Sequence, residues 1–304
     1  MAGADPLALL VRFGLYVVLG VAFGLPLFTL YAPSGGVAGL RLTLIFSSVI
    51  GVALSIAALV LLAASMAGIP AASVDRAAVE AILSLPAIGT AVILRIGALL
   101  VLAVAAFAIR RARPAAVAGV ALGGTALASL AWTGHGNISE GFWAPIHLAA
   151  DIIHLLAAGA WLGALIALVI LVMRPVRSVG PDHVAQARTA LAGFSGVGSV
   201  IVGLIVATGL VNSWTVIGLS NVGAMFTTVY GWLFIAKLAL FGAMLALAAA
   251  NRFRLTPAFE RAAGEPSRQL KALRTSLAVE TFSAVSILAL VAWLGLLAPP
   301  GSMG

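Results

Sequence analysis

The sequence predicts an all-α fold, a polytopic membrane bundle of about eight transmembrane helices with both termini on the periplasmic side. Composition is the first indication, because 62% of the 304 residues are hydrophobic and only 9% are charged, whereas soluble globular chains average about 25% charged residues. The mean hydropathy is +1.18, and a soluble domain of this length cannot bury so many apolar side chains. The chain has no cysteine, which excludes disulfides, thiolate metal sites and cysteine nucleophiles.

Eight apolar runs reach the length of about 20 residues that a helix needs to cross about 30 Å of hydrocarbon. We number them span 1 to span 8, over residues 7–31, 41–67, 88–109, 115–134, 144–173, 190–213, 229–250 and 275–297. Turn or charge signals separate them, from APSGG at 32–36 to the polar run at 251–274. Runs of this length favour helices over strands. We expect one integral-membrane domain over 1–304, with span 1 retained because it has no basic n-region.

The basic residues predict the orientation of the bundle. If both termini lie on one side, the loops after spans 1, 3, 5 and 7 hold thirteen basic residues, and only Arg76 lies on the other side. The thirteen are Arg41, Arg110, Arg111, Arg113, Arg174, Arg177, Arg188, Arg252, Arg254, Arg261, Arg268, Lys271 and Arg274. The positive-inside rule then predicts periplasmic termini. The net charge of +8 is therefore an orientation signal that favours membrane lipid as a partner and disfavours nucleic acid.

Five charged residues lie inside the spans: Arg12, Arg95, Asp151, Lys237 and Glu280. Each would cost about 2.5–3.5 kcal/mol near the membrane centre, so we expect all five to face the bundle interior. Four of them occupy one layer in the outer half, and Glu280 lies alone nearer the cytoplasmic end. Two interpretations stay open, since Asp151 either neutralises Arg95 or Lys237 as a helix lock or belongs to a permeation or cofactor site.

A histidine face is predicted on span 5. His147, Asp151 and His154 stand at i, i+4 and i+7, within an arc of roughly 60°, and Trp161 continues the stripe. His135 ends the preceding span, and a short outer loop returns it beside His147. Neutral imidazoles with a carboxylate suit Cu, Zn or Ni, although histidines that are only packed and hydrogen-bonded give the same spacing.

Softer ligands and packing motifs complete the candidate set. Met66 and Met225, both predicted near the outer surface, are possible Cu(I) entry ligands, although methionine in helices is more often packing. The motifs Gly20-x-x-x-Gly24 and Gly159-x-x-x-Gly163 predict close helix approach.

The run HLAADIIHLLAAGAWLGAL at 147–165, preceded by WTGHG at 132–136, resembles the CopD/PcoD family of bacterial inner-membrane copper-resistance proteins. The segments YGWLFIAKLAL at 230–240 and LRTSLAVE at 273–280 follow in the family's order.

The resemblance implies import of a copper ion, Cu⁺ or Cu²⁺, across the inner membrane, or delivery of copper within a copper-handling system, by a protein that is not an enzyme. A CopC-like periplasmic protein would donate the metal. Histidines 135 and 147 would receive the ion, and Asp151 with His154 would pass it inward. The cations Arg95 and Lys237 would set the charge of Asp151, and Glu280 would offer a step towards the cytoplasm.

A second hypothesis is a membrane redox or haem-biosynthesis protein that binds haem b. Two histidines on facing helices would ligate the iron, and Arg12, Arg95 and Lys237 would pair with the propionates. The sequence leaves the direction of transport, the driving force and the oligomeric state open.

Overall fold

A computed structural model describes residues 5–32, 39–133, 143–173, 181–255 and 267–299, and throughout these ranges the regular structure is helical. The eight spans are confirmed, with bounds within a few residues of those predicted. They are Pro6–Tyr31, Leu40–Ala67, Pro86–Ala108, Ala112–Thr133, Ala144–Val172, Thr189–Ile217, Val229–Phe253 and Lys271–Leu294. The chain is therefore a multi-pass helical membrane protein.

Polar segments that hydropathy assigned to loops are partly helical. Between spans 2 and 3 a short helix covers Arg76–Leu83, where the Asp75 carboxylate accepts a hydrogen bond from the Ala78 backbone N–H. Arg76 and Glu80 form an ion pair at 2.6 Å on that helix. The helix that contains span 6 begins early, at Pro181. Capping and i,i+4 pairing favour helix without an apolar run, so a hydropathy pattern does not detect these segments.

Successive spans run in opposite directions, and arginines fasten their ends. Arg41 at the start of span 2 donates to the carbonyls of Ala106 and Phe107, where span 3 ends. Arg274 in span 8 donates to the Val172 carbonyl at the end of span 5. The last carbonyls of a helix have no partner within the helix and carry partial negative charge. These predicted loop cations therefore also stabilise helix ends. The end where span 1 begins is called the N-terminal end below.

Span 1 packs against span 5 through the two predicted glycine motifs. A Cβ atom on Gly24 would lie 2.8 Å from the Gly159 carbonyl carbon and 3.0 Å from the Gly163 Cα atom. Only glycine permits backbones to approach this closely. The predicted close approach is confirmed, and each motif is the other's partner. One cluster of buried side chains extends from span 1 to span 8.

Span 4 departs from regular α-helix twice. It contains a π turn at Gly119–Gly123 and ends in a 3₁₀ segment, Ser129–Thr133. At the π turn, Gly123 lies against the backbone of Ala22 in span 1. The 3₁₀ end brings the Ser129 hydroxyl and carbonyl within hydrogen-bond distance of Arg95 in span 3.

Candidate functional site

The histidine face of span 5 packs against span 6. The Asn212 side-chain N–H donates to Asp151 Oδ1 over 3.3 Å. One turn further along, His154 Nδ1 lies 3.0 Å from the Thr208 hydroxyl oxygen. At the N-terminal start of the face, His147 is only 2% exposed. The predicted inward orientation of the face is therefore observed.

The Thr208 hydroxyl lies within hydrogen-bond distance of two partners. It donates to the Leu204 carbonyl over 2.5 Å, and its oxygen is 3.0 Å from His154 Nδ1. A neutral imidazole has one donor and one acceptor nitrogen. In the tautomer with the proton on Nδ1, His154 donates to the Thr208 oxygen, and its Nε2 carries the lone pair with which a neutral histidine ligates a metal.

Sequence reasoning missed Thr208 and Asn212. Both lie in the apolar span 6, four residues apart, and residues at that spacing share a helix face. The signal was this pair of polar residues within an apolar run. Oδ1 of Asn212 is buried and has no hydrogen-bond partner among the described residues, so an unused acceptor oxygen lies beside the Asp151 carboxylate.

Spans 5 to 8 enclose a cavity of about 350 Å³, the upper cavity, whose walls are mostly apolar. Its polar lining includes His154, Trp161 and Lys237, and the Lys237 Nζ atom lies 5.7 Å from the Phe234 ring centroid. Lys237 and Asp151 attract one another electrostatically. They are not within 4.0 Å, since Arg76–Glu80 is the single ion pair in the described part of the chain.

Trp161 also lines a second cavity of about 350 Å³, the lower cavity, on the side away from the N-terminal end. The indole meets the Phe194 ring edge-on at a centroid distance of 5.8 Å. Glu280, 2% exposed, and Asn251 line the same cavity. Oε1 of Glu280, both side-chain amide atoms of Asn251 and the Trp161 Nε1 atom are buried without a hydrogen-bond partner in the described ranges. Glu280 and Asn251 lie close enough to interact with one another. Buried polar groups in native proteins normally have partners, so the remaining polar atoms of this group are available to water or a cation.

Arg12 and Arg95 line a third cavity, the arginine cavity, of about 410 Å³. Arg95 was expected to act on Asp151, but its Nε donates to the Ser129 hydroxyl over 2.9 Å. The cations that act on Asp151 are Lys237 and Arg12. Arg95 is directed elsewhere because span 3 packs on spans 2 and 4.

The other candidate ligands are dispersed. His135 lies outside the described residues. Met66 is 62% exposed at the end of span 2, and Met225 is buried in a small cluster with Tyr230. Across the described residues, no three His, Asp or Glu side chains are close enough to share a metal ion.

The haem hypothesis stays a prediction. It requires two histidines that face one another across the iron. Among the described side chains, the group opposite His154 on span 6 is Thr208, not a second histidine.

Comparison with known proteins gives the family. Eight apolar helices fit a multi-pass protein of the inner membrane, the location that the name of one relative below gives. The family model for copper resistance protein D matches residues 188–294, and the model for the copper resistance protein D-like N-terminal domain matches residues 3–145. Copper resistance protein D of Pseudomonas syringae pv. tomato is 42% identical over 312 residues, which cover 99% of each chain. The chain therefore belongs to the copper resistance protein D family.

Two further relatives match over shorter regions. The inner membrane protein YebZ of Escherichia coli strain K12 is 34% identical over 128 residues, 42% of each chain. Copper transport protein CutJ of Bacillus subtilis strain 168 is 33% identical over 130 residues, 43% of this chain and 23% of the relative. No solved structure matches the chain. The run at 147–165 falls between the two ranges that the family models match.

Proposed function

We propose that this protein carries copper across the bacterial inner membrane from the periplasm towards the cytoplasm. The names of two relatives, copper resistance protein D and copper transport protein CutJ, support copper as the substrate. The observation that carries the proposal is the order of polar groups through spans 5 to 8, from the histidine face to the upper cavity and then the lower cavity.

The histidine face is the entrance of the proposed route. His147, Asp151 and His154 follow one another along span 5 over about 10 Å, at a rise of about 1.5 Å per residue. The Nε2 nitrogen of His154 and the Asn212 oxygen, which has no hydrogen-bond partner among the described residues, add to the donor set. Imidazole and carboxylate groups both bind copper ions. A transported ion must be released again, so we expect each step of the route to hold it with few of these ligands.

Lys237 gives the entrance a charge-exchange step. It attracts Asp151 from the wall of the upper cavity, so the carboxylate is compensated before copper arrives. A copper cation that reaches Asp151 competes with Lys237 for the same charge. Direct contact favours the cation, because Coulomb energy falls with distance. Lys237 therefore shortens the time that the copper ion stays at Asp151 and does not block its entry.

Trp161 and Glu280 form the second half of the route. The indole of Trp161 lines both cavities and separates them. Beyond it, the Glu280 carboxyl group, whose Oε1 has no hydrogen-bond partner among the described residues, is the next acidic group for a cation that moves away from the N-terminal end. The basic residues lie at the end of the bundle away from the N-terminal end. By the positive-inside rule, we expect that end, towards which the route runs beyond Glu280, to be cytoplasmic.

Copper flux into proteoliposomes that contain a trapped copper-sensitive dye tests the route. We expect Asp151→Asn and Glu280→Gln each to reduce flux by about tenfold or more, the scale on which changes at metal sites act. The matched controls are Asp75→Asn, which keeps an N-cap oxygen, and Glu80→Gln on the same exposed helix. If Asp151→Asn transports copper as fast as Asp75→Asn, the proposed entrance is wrong. Equal flux in Glu280→Gln and Glu80→Gln removes the lower cavity from the route.

The proposed donor is a CopC-like periplasmic copper protein. The histidine face starts at the N-terminal end of the bundle, which the positive-inside rule predicts to be periplasmic. Flux that starts from donor-bound copper should exceed flux from the same concentration of chelated copper. Equal rates from both forms would contradict the donor.

A further inference from the structure

We propose that the arginine cavity is a binding site for a phosphate-type oxyanion, separate from the copper route. The cavity lies between spans 1 to 4 at the N-terminal end of the bundle. Its two guanidinium groups come from Arg12 and Arg95, and Tyr16 and Ser55 add hydroxyl groups to the lining.

Both arginines have unused hydrogen-bonding capacity. A guanidinium has five N–H donors. Arg12 donates to the carbonyls of Gly295 and Thr133, and Arg95 donates twice to Ser129. Three N–H groups of each side chain therefore have no partner among the described residues. Guanidinium forks with free donors bind phosphate-type oxyanions in a bidentate way, and both of these forks line the same cavity.

The positive charge of the cavity is compensated only from a distance. Arg95 is 2% exposed, and the described residues contain no carboxylate within 4.0 Å of either arginine. Asp5 lines the mouth of the cavity, but it is exposed and its Oδ1 accepts from the Leu7 N–H as the cap of span 1. Asp151 acts on Arg12 only from beyond 4.0 Å. The two cations repel one another, and an anion between them relieves that repulsion.

The cavity excludes copper and fits an anion. Two fixed cations repel a copper ion, so this space is not a second copper route. Its volume of about 410 Å³ lies in the range of small-molecule sites, about 300–1,000 Å³. Apolar walls from Leu15, Leu59 and Leu62 continue beside the polar groups. The shared ligand chemistry is a phosphate group, supplied either by a phospholipid headgroup or by free phosphate.

Copper-free purified protein in detergent tests the proposal with two probes. Native mass spectrometry compares phosphatidylglycerol with phosphatidylcholine, and thermal unfolding is measured with and without inorganic phosphate. The variants are Arg12→Gln and Arg95→Lys, the second of which keeps the charge and folds more readily than a neutral replacement. Arg41→Gln is the matched control, because Arg41 also donates to backbone carbonyls but lies at the other end of the bundle.

We expect each of the two variants to bind the probe with about tenfold lower affinity, since hydrogen bonds to charged groups contribute about 1.5–3 kcal/mol. The affinity of Arg41→Gln should equal that of the wild type. If the arginine variants lose only the binding of phosphatidylglycerol, the ligand is a lipid headgroup. Loss of the phosphate-induced rise in unfolding temperature identifies free phosphate. The proposal is overturned if neither probe binds the wild type, if neither variant changes binding, or if Arg41→Gln changes it equally. Copper plays no part in these measurements, so their outcome does not depend on the transport proposal.

Discussion

Replacement of Gly163 by alanine tests the contact that holds span 5, and with it the histidine face, against span 1. A Cβ atom at Gly163 would lie 2.5 Å from the Gly24 Cα atom, and its neighbours are all backbone atoms of span 1. No side-chain rotation relieves this clash. The Gly24 carbonyl carbon would lie closer still, and carbon atoms pack best at about 3.5–4.0 Å, so the two spans must separate by more than about 1 Å. The separation leaves less contact between the apolar residues on both sides of the crossing.

We expect Gly163→Ala to lower the free energy of unfolding by about 1–3 kcal/mol, the usual cost of overpacking. The matched control is Gly242→Ala in span 7, where an added Cβ meets no atom within 4 Å. The control should match or exceed wild-type stability, because glycine within a helix is about 0.5–1 kcal/mol less favourable than alanine. Unfolding in mixed micelles with increasing sodium dodecyl sulfate, followed by circular dichroism, measures both.

A double variant adds a test of the pairing itself. Gly24→Ala separates the same two spans, so its cost and that of Gly163→Ala should sum to more than the cost of the double variant. Strict additivity would show that the two glycines act independently. Equal stability of Gly163→Ala and Gly242→Ala would refute the close approach of spans 1 and 5.

Three further predictions concern the site and the orientation of the bundle. Thr208→Val removes the hydroxyl that lies beside His154 Nδ1. We expect it to lower stability by about 0.6 kcal/mol, typical of hydrogen bonds between membrane helices, and to slow copper flux. Thr208→Ser keeps the hydroxyl and should have the stability and the copper flux of the wild type. Trp161→Phe should lower the unfolding temperature more than Trp232→Phe does, because Trp161 is 3% exposed and packs edge-on against Phe194, whereas Trp232 is 59% exposed and the smaller ring leaves a cavity only at the buried position; equal unfolding temperatures would contradict the packed position of the Trp161 indole. Alkaline phosphatase fused to the C-terminus should be active and green fluorescent protein dark, since the positive-inside rule predicts periplasmic termini; the reverse result would contradict the predicted orientation.

The histidine face was partly predictable. Residues i, i+4 and i+7 of any helix share a face, so the alignment of His147, Asp151 and His154 needed no structure. The identity of the opposing face did need it, because nothing in the periodicity of span 5 points to Thr208 and Asn212 in span 6. The tautomer of His154 depends on where the Thr208 proton goes, which is a property of three contacts between two helices.

The least predictable feature was which group each buried cation interacts with. Depth along each span placed Arg95 and Lys237 in one layer, and the layer is shared by two different cavities. Depth is one coordinate, whereas interaction with Asp151 requires that spans be neighbours. Span 3 packs on spans 2 and 4, so Arg95 reaches Ser129, and Arg12 acts on Asp151 in its place.

The sequence alone determined that most of the chain is surrounded by lipid, how many spans it has and which side chains cannot face the lipid. Hydrocarbon imposes a fixed thickness and a high cost on every unpaired charge, and both constraints act along the chain in one dimension. The tertiary structure decided which spans are neighbours: span 1 against span 5, span 6 over the histidine face, and Trp161 between two cavities. Those pairings depend on glycine contacts and side-chain shape, which act between residues far apart in the chain.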